Sequence, residues 1–343
     1  MNYVNNKLCI ATWNVTSLVS DSSKYYQLEK VMGLYGLEVL GVTETHMPGS
    51  GSMVLDDGCL LVYSGTDDGH KRSGVGLCLS KKVKNSLISF TPVSERILTA
   101  RLHSKHINIS VTVVYAPTMS AIDSVKEDFY KELAVTQANL PAHDIKLVLG
   151  DFNARVGRDT ETWPGVIGAH SFHQSDNDNG VRMLDFCTIN DLTIGGTLFQ
   201  HKNIHKGTWL SPDEKTTTQI DHICISRKWS HSLLDTKVCR GAQIGTTHKL
   251  VRGYLRVTLK AAFKSGGNRK KEPAIEKLRD RSAVDDYCDA LHIEYSNADN
   301  ENKTLDEAWK HFRTKVDEVS LSVLGRSHAR RECNIFLMRP KTS

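Results

Sequence analysis

The stretch Ile145–Asn153, IKLVLGDFN, decides how this chain is read. It is short and apolar apart from Lys146, the composition of a strand buried on both faces. It ends on a carboxylate, Asp151, with an amide, Asn153, two residues later. Alone, these could be turn residues, since Asp and Asn bond their own backbone and tolerate left-handed conformations.

The same ending recurs elsewhere. Lys7–Asn14 (KLCIATWN) closes on Asn14, Leu37–Glu44 (LEVLGVTE) on Glu44, and Ile107–Thr118 (INISVTVVYAPT) carries Tyr115 at the end of its apolar run. Asp221 interrupts Gln219–Ser226 (QIDHICIS), and His248 directly precedes Leu250–Lys260 (LVRGYLRVTLK). Each alone invites the dull reading. If the strands are neighbours, their ends gather carboxylates, amides, a phenol and an imidazole in one pocket. An oxygen-rich set without thiols suits Mg²⁺, which keeps waters and leaves room for phosphate oxygens. The inventory points to metal-assisted phosphoester hydrolysis.

Further strands are expected at Ser73–Ser80 (SGVGLCLS), Arg96–His103 (RILTARLH) and Thr208–Pro212 (TWLSP). Tyr25, Leu28, Met32 and Tyr35 recur at helical spacing after Ser22-Ser23, which can cap the helix. Ile122, Val125, Phe129 and Leu133 predict a second helix, stopped by Pro141, and Val181, Leu184 and Cys187 a third. Many strands with few helices imply two packed sheets with helices outside them, not one doubly wound sheet.

The chain has 343 residues, 39% of them hydrophobic and 24% charged, with a net charge of +5. A charge this mild permits a polyanionic partner without demanding one. No apolar run approaches a membrane span, and no signal peptide opens the sequence. A nuclear or cytoplasmic protein, not a secreted one, is expected. The eight cysteines are scattered with no C-x-x-C pair, which disfavours a zinc site or disulfide framework. From Lys260 to Arg281 eight Lys/Arg face three Asp/Glu around KSGGNRKKEP, a linker composition. We expect domains at 1–260 and 274–343, joined by a basic linker at 261–273. Leu305, Trp309, Phe312, Val316 and Val319 share one face of a helix in the second.

The ordered set TWN, TETH, VVYAPT, LGDFNARVG, NDNG, TW, QIDHI and His248-Lys249-Leu250 resembles the endonuclease/exonuclease/phosphatase family, over roughly residues 7–260. Within it, the likeness is to endonucleases of LINE-type retrotransposons, craniofacial development protein 2-like sequences among them. The tail TLDEAWKHFRTKVDEVSLSVLG looks like the segment that follows the endonuclease in LINE polyproteins, whereas the last dozen residues do not resemble its continuation.

The resemblance implies a four-layered α/β/β/α sandwich and Mg²⁺, with Mn²⁺ as a substitute. Glu44 would ligate the metal, with Asn14 beside it. Asp151 would orient and deprotonate the attacking water, assisted by Asn153. Tyr115 and His248 would hold the scissile phosphate, Asp221 would steer the histidine, and Thr208 and Asn179 would lie against phosphate or DNA. The implied partner is DNA, acted on by a monomer with no membrane and no obligate protein partner. The implied product carries a 3′-hydroxyl and a 5′-phosphate.

One position departs from the pattern. The family reads Ser-Asp-His where this chain reads Thr246-Thr247-His248, so a hydroxyl replaces a carboxylate beside the imidazole. The expectation is a weakened nuclease; the alternative is a catalytically silent nucleic-acid-binding remnant. A change of substrate to an inositol phosphate, sphingomyelin or an RNA tail is a third reading.

Overall fold

The computed structural model describes residues 7–66, 73–260, 274, 277–278, 280–296 and 305–325. The expected linker at 261–273, most of the loop Gly65–Arg72 and the final dozen residues lie outside them. The chain divides into compact units Met1–Ala262 and Phe263–Ser343.

In the first unit the strands are β1 (Leu8–Asn14), β2 (Val39–Thr43), β3 (Ser50–Val54), β4 (Leu60–Ser64), β5 (Val75–Leu79), β6 (Leu87–Ser94), β7 (Ile97–Leu102) and β8 (Ile109–Tyr115). They continue as β9 (Ile145–Asp151), β10 (Leu192–Ile194), β11 (Trp209–Leu210), β12 (Thr217–Thr218), β13 (Asp221–Ser226), β14 (Leu233–Cys239) and β15 (Leu250–Leu255). The helices are α1 (Ser23–Tyr35), α2 (Asp123–Ala138) and α3 (Asp178–Ile189). One sheet has the order β14-β15-β1-β2-β5-β4-β3, a second β10-β13-β9-β8-β7-β6, and β11-β12 form a separate hairpin. Only β1/β2 and β8/β9 pair in parallel among these described strands.

Ile10, Val39 and Leu77 of the first sheet pack on Val113, Leu147 and Ile223 of the second. The outer face of the first sheet, with Trp13 and Leu40, packs on Leu28 and Met32 of α1. Val148 and Cys224 on the outer face of the second pack on Phe129 and Leu133 of α2 and Met183 and Leu184 of α3. The result is the four-layered α/β/β/α sandwich. Two glycines set its close approaches. A Cβ on Gly41 would lie 2.0 Å from Leu149 Cδ1 of the opposite sheet, and one on Gly150 would lie 1.9 Å from the Val114 carbonyl. Gly150 therefore lets β9 deliver Asp151 beside Tyr115.

The structure differs from the sequence expectations in detail. Ser22 makes no side-chain cap to α1; Asp21 instead accepts the backbone and hydroxyl hydrogens of Ser23. Ile122 and Val125 are exposed, and α2 buries Lys126, Phe129 and Leu133. Val181 is likewise exposed, leaving Met183, Leu184, Phe186 and Cys187 inward. β15 stops at Leu255 instead of running to Lys260. The described cysteines are unbridged.

The second unit contains α4 (Arg281–Ser296) and α5 (Leu305–Val323), which contact each other; Tyr287 Oη and Ser320 Oγ are 2.9 Å apart. No described helix is long and apolar enough to cross a membrane.

Candidate active site

Strand register brings the polar strand ends into rows. In the second sheet Asp151 is paired with Tyr115 on one side and Asp221 on the other. In the first, Asn14 is paired with Thr43, so Glu44 follows one residue beyond. The two rows meet through Asn14, which is fully buried. Its Nδ2 donates to Glu44 Oε1 at 2.8 Å and to Asp151 Oδ2 at 2.9 Å, while its Oδ1 accepts the Thr16 N–H at 3.0 Å. Both amide hydrogens are used on carboxylates from opposite sheets. Asn14 thus faces them as a donor.

Asp151 is 1% exposed; its Oδ1 accepts the Asn153 N–H at 2.9 Å. Burial, then the charge of Asp221, pushes its pKa up to about 7, against the opposing pull of His248. His248 Nδ1 lies 3.0 Å from Asp221 Oδ2, and its Nε2 is 3.9 Å from Asp151 Oδ2. Burial favours the neutral ring, but the charge and hydrogen bond of Asp221, with Asp151 and Glu44, hold its pKa at about 9. The imidazole is therefore a cation at neutral pH, donating from Nδ1 to Asp221. Thr247 itself is exposed. Asp221 supplies the compensating carboxylate from another strand.

Tyr115 is buried beneath the Arg96 guanidinium, 5.1 Å from the ring centroid. Burial and the charges of Glu44 and Asp151 raise its pKa, so it remains a neutral phenol. Asn153, at φ 49°, donates through Nδ2 to the Ala116 carbonyl. Thr208 and Asn179 are turned toward backbone. Thr208 Oγ1 accepts the N–H groups of Ile220 and Asp221, and Asn179 Nδ2 donates to the carbonyls of Pro117 and Asn153.

Several contributing residues were not singled out from the sequence. Trp13 Nε1 donates to the His248 carbonyl at 3.2 Å, and Thr246 Oγ1 accepts the His248 N–H. Thr16 and Thr246 hydroxyls lie 2.9 Å apart. Trp13 stood inside the quoted TWN, but nothing local signals a partner 235 residues away.

Ligand atoms of Asp151, Asp221 and His248 lie within 4.8 Å of one another, and with the imidazole protonated the two carboxylates are the members that could hold a metal ion. Asp221 Oδ1 is buried with no hydrogen-bond partner, and a cation or its water would satisfy it. With Glu44 adjacent through Asn14, the oxygen-dominated donors fit a hard divalent cation.

The two raised pKa values make a stability prediction for the metal-free protein. Folded Asp151 and His248 bind protons more tightly than their ordinary values of 3.8 and 6.5. The His248 contribution is complete below about pH 6.5 and is lost as pH rises through about 9; that of Asp151 is lost through about 7. Denaturant unfolding in EDTA should show stability falling over this range, on the order of 3 kcal/mol for the histidine. Saturating Mg²⁺ should flatten the slope, because it favours the deprotonated carboxylates. A pH-independent midpoint in EDTA would overturn the assigned charges.

Comparison with known proteins agrees with this architecture. The chain is 33% identical to craniofacial development protein 2 of Tragulus javanicus and of Bos taurus over 252 residues, 74% of its own length. It spans 43% and 41% of those relatives, less than half of either. Among solved structures it is similar to the catalytic domain of Xenopus laevis APE2, with TM-score 0.55 and 15% identity over 75% of this chain and 94% of that one. It is also similar to the endonuclease domain of TRAS1, a telomere-specific non-LTR retrotransposon, with TM-score 0.51 and 11% identity over 73% and 98%. No protein-family model matches the chain.

Proposed function

The chain is a homologue of craniofacial development protein 2 built on the DNase I-like fold, and from that premise we propose that it is a Mg²⁺-dependent DNA endonuclease of retrotransposon origin. The observation that carries this reading is Asn14, whose one amide joins Glu44 to Asp151 beside the His248–Asp221 pair. We assign residues 1–260 to the nuclease and 274–343 to a LINE-like helical tail.

In this reading Glu44 holds the cation, with Mn²⁺ as a substitute for Mg²⁺. A bound divalent cation supplies charge neutralisation at the phosphate. Asp151 accepts the proton of the attacking water, while Asn153 sets its carboxylate through the 2.9 Å backbone bond. Cationic His248 and neutral Tyr115 donate to phosphate oxygens, and Asp221 keeps the imidazole charged and oriented. Thr208 and Asn179 act by fixing the backbone of this wall. Attack in line with the leaving 3′-oxygen gives a 3′-hydroxyl and a 5′-phosphate. A nuclear location follows from a DNA substrate.

Thr247 keeps a second reading in play, a silent remnant that binds nucleic acid without cutting. Supercoiled plasmid incubated with Mg²⁺ or EDTA separates the two. We expect Mg²⁺-dependent nicking by the wild type, rising about 10-fold in Thr247→Asp, as for restoring a carboxylate near a metal site. An inert wild type beside an active Thr247→Asp protein would establish the remnant.

A further inference from the structure

Lys24, in the first turn of α1, points its ammonium back at the loop leaving β1. Its Nζ donates to the carbonyls of Val15 at 3.1 Å, Thr16 at 2.9 Å and Ser17 at 2.8 Å. An ammonium has three hydrogens and no acceptor, so these bonds saturate it. Among the described residues no carboxylate lies within ion-pair distance of it. This differs from an ordinary solvated lysine, and it leaves Lys24 no hydrogen to offer a phosphate.

The loop it grips is both unfavourable and consequential. Thr16 and Ser17 have φ of 46° and 77°, a left-handed pair that non-glycine residues seldom adopt. Three carbonyls converging on one point also repel unless a cation sits among them. From this loop Thr16 N–H holds Asn14 Oδ1, Ser17 N–H donates to the Glu44 carbonyl at 2.6 Å, and Leu18 N–H donates to the Thr45 carbonyl at 2.9 Å. The orientation of the Asn14 amide and the left-handed backbone of Glu44, at φ 54°, thus depend on Thr16 and Ser17, two of the three residues that Lys24 grips.

We propose that Lys24 is a positioning residue, an internal monovalent cation that holds the Val15–Ser17 carbonyls in the one conformation that sets the Asn14 amide against Glu44 and Asp151, the carboxylates that would face the divalent ion. The idea rests on the metal-dependent reading above for its purpose, though not for its structural effect. Removing the side chain should leave a carbonyl-lined site that small monovalent cations refill.

The test uses the full chain with Lys24→Ala, and Lys24→Met to retain the aliphatic stem. Mn²⁺ affinity is measured by calorimetry in ammonium chloride and in tetramethylammonium chloride of equal ionic strength. Exchange of the Ser17 and Leu18 amides is followed without metal. We expect Mn²⁺ Kd to rise about 10-fold in tetramethylammonium, to return near wild type in ammonium, and amide exchange to quicken about 10-fold with the same rescue. Wild-type affinity and exchange in both variants overturn the proposal, as does equal rescue by tetramethylammonium. Failure of both variants to fold would make Lys24 a purely structural residue and overturns it too. If the wild type binds no Mn²⁺, the metal-site reading fails, and the clamp stands or falls on amide exchange.

Discussion

The Asp151→Ala protein should nick plasmid about 10⁴-fold more slowly than the wild type in Mg²⁺, with undiminished thermal stability in EDTA. The rate loss follows from where the carboxylate stands. It ends β9 between Tyr115 and Asp221, takes one Asn14 hydrogen, and lies 3.9 Å from the imidazole. The other carboxylate of this row, Asp221, has its Oδ2 engaged by the cationic His248, which disfavours its protonation. The stability follows from burial. A carboxyl raised to about 7 has its charge opposed by the fold, so deleting it above that pH removes an unfavourable ion. Nicked-circle formation and a melting curve check the two halves separately. Residual nicking within 10-fold of wild type would place the proton acceptor elsewhere.

How much of this was legible in the sequence depended on the physical signal each feature leaves. Ile145–Asp151 announced itself because a strand covered on both faces must be apolar throughout, so its terminal carboxylate stood out. β3, with the sequence SGSMV and four of its five residues exposed, leaves no such pattern at the sheet edge. β6 contains Pro92 and buries none of its residues fully, and the three-residue β10 is too short to announce itself. Helix periodicity found α2 but gave it too wide an apolar face, since Ile122 and Val125 stand clear of the sheet. For the site, side-chain chemistry was readable wherever a polar group ended an apolar run. Trp13 and Lys24 were not, because their partners are backbone carbonyls, which every residue carries. The triplet Thr246–His248 is local, whereas the carboxylate facing the imidazole, Asp221 on β13, stands 27 residues earlier in the chain.

Asp221→Asn should have the second large effect. Asp221 Oδ2 accepts from His248 Nδ1 at 3.0 Å, and Thr208 Oγ1 pins the Asp221 N–H at 3.1 Å, so the acceptor cannot easily swing away. An asparagine there keeps the volume but removes the negative charge, and it can present N–H to Nδ1. The ring would then favour the tautomer with hydrogen on Nε2 and lose its main reason to be protonated. Burial, the largest opposing influence on His248, would go uncompensated, and its pKa should fall from about 9 toward or below its ordinary 6.5. Nicking at pH 7.5 should drop about 10³–10⁴-fold, the scale seen when an amide replaces a carboxylate behind a working imidazole. The sign of the pH profile identifies the cause. A wild type needing the cation loses activity as pH rises through about 9, while the variant should recover part of its rate as pH falls through 6.5. NMR titration of His248 and the pH–rate profile should shift together. If the variant instead keeps a histidine titrating near 9 but binds Mn²⁺ weakly, Asp221 acts as a ligand of the cation and not through the imidazole.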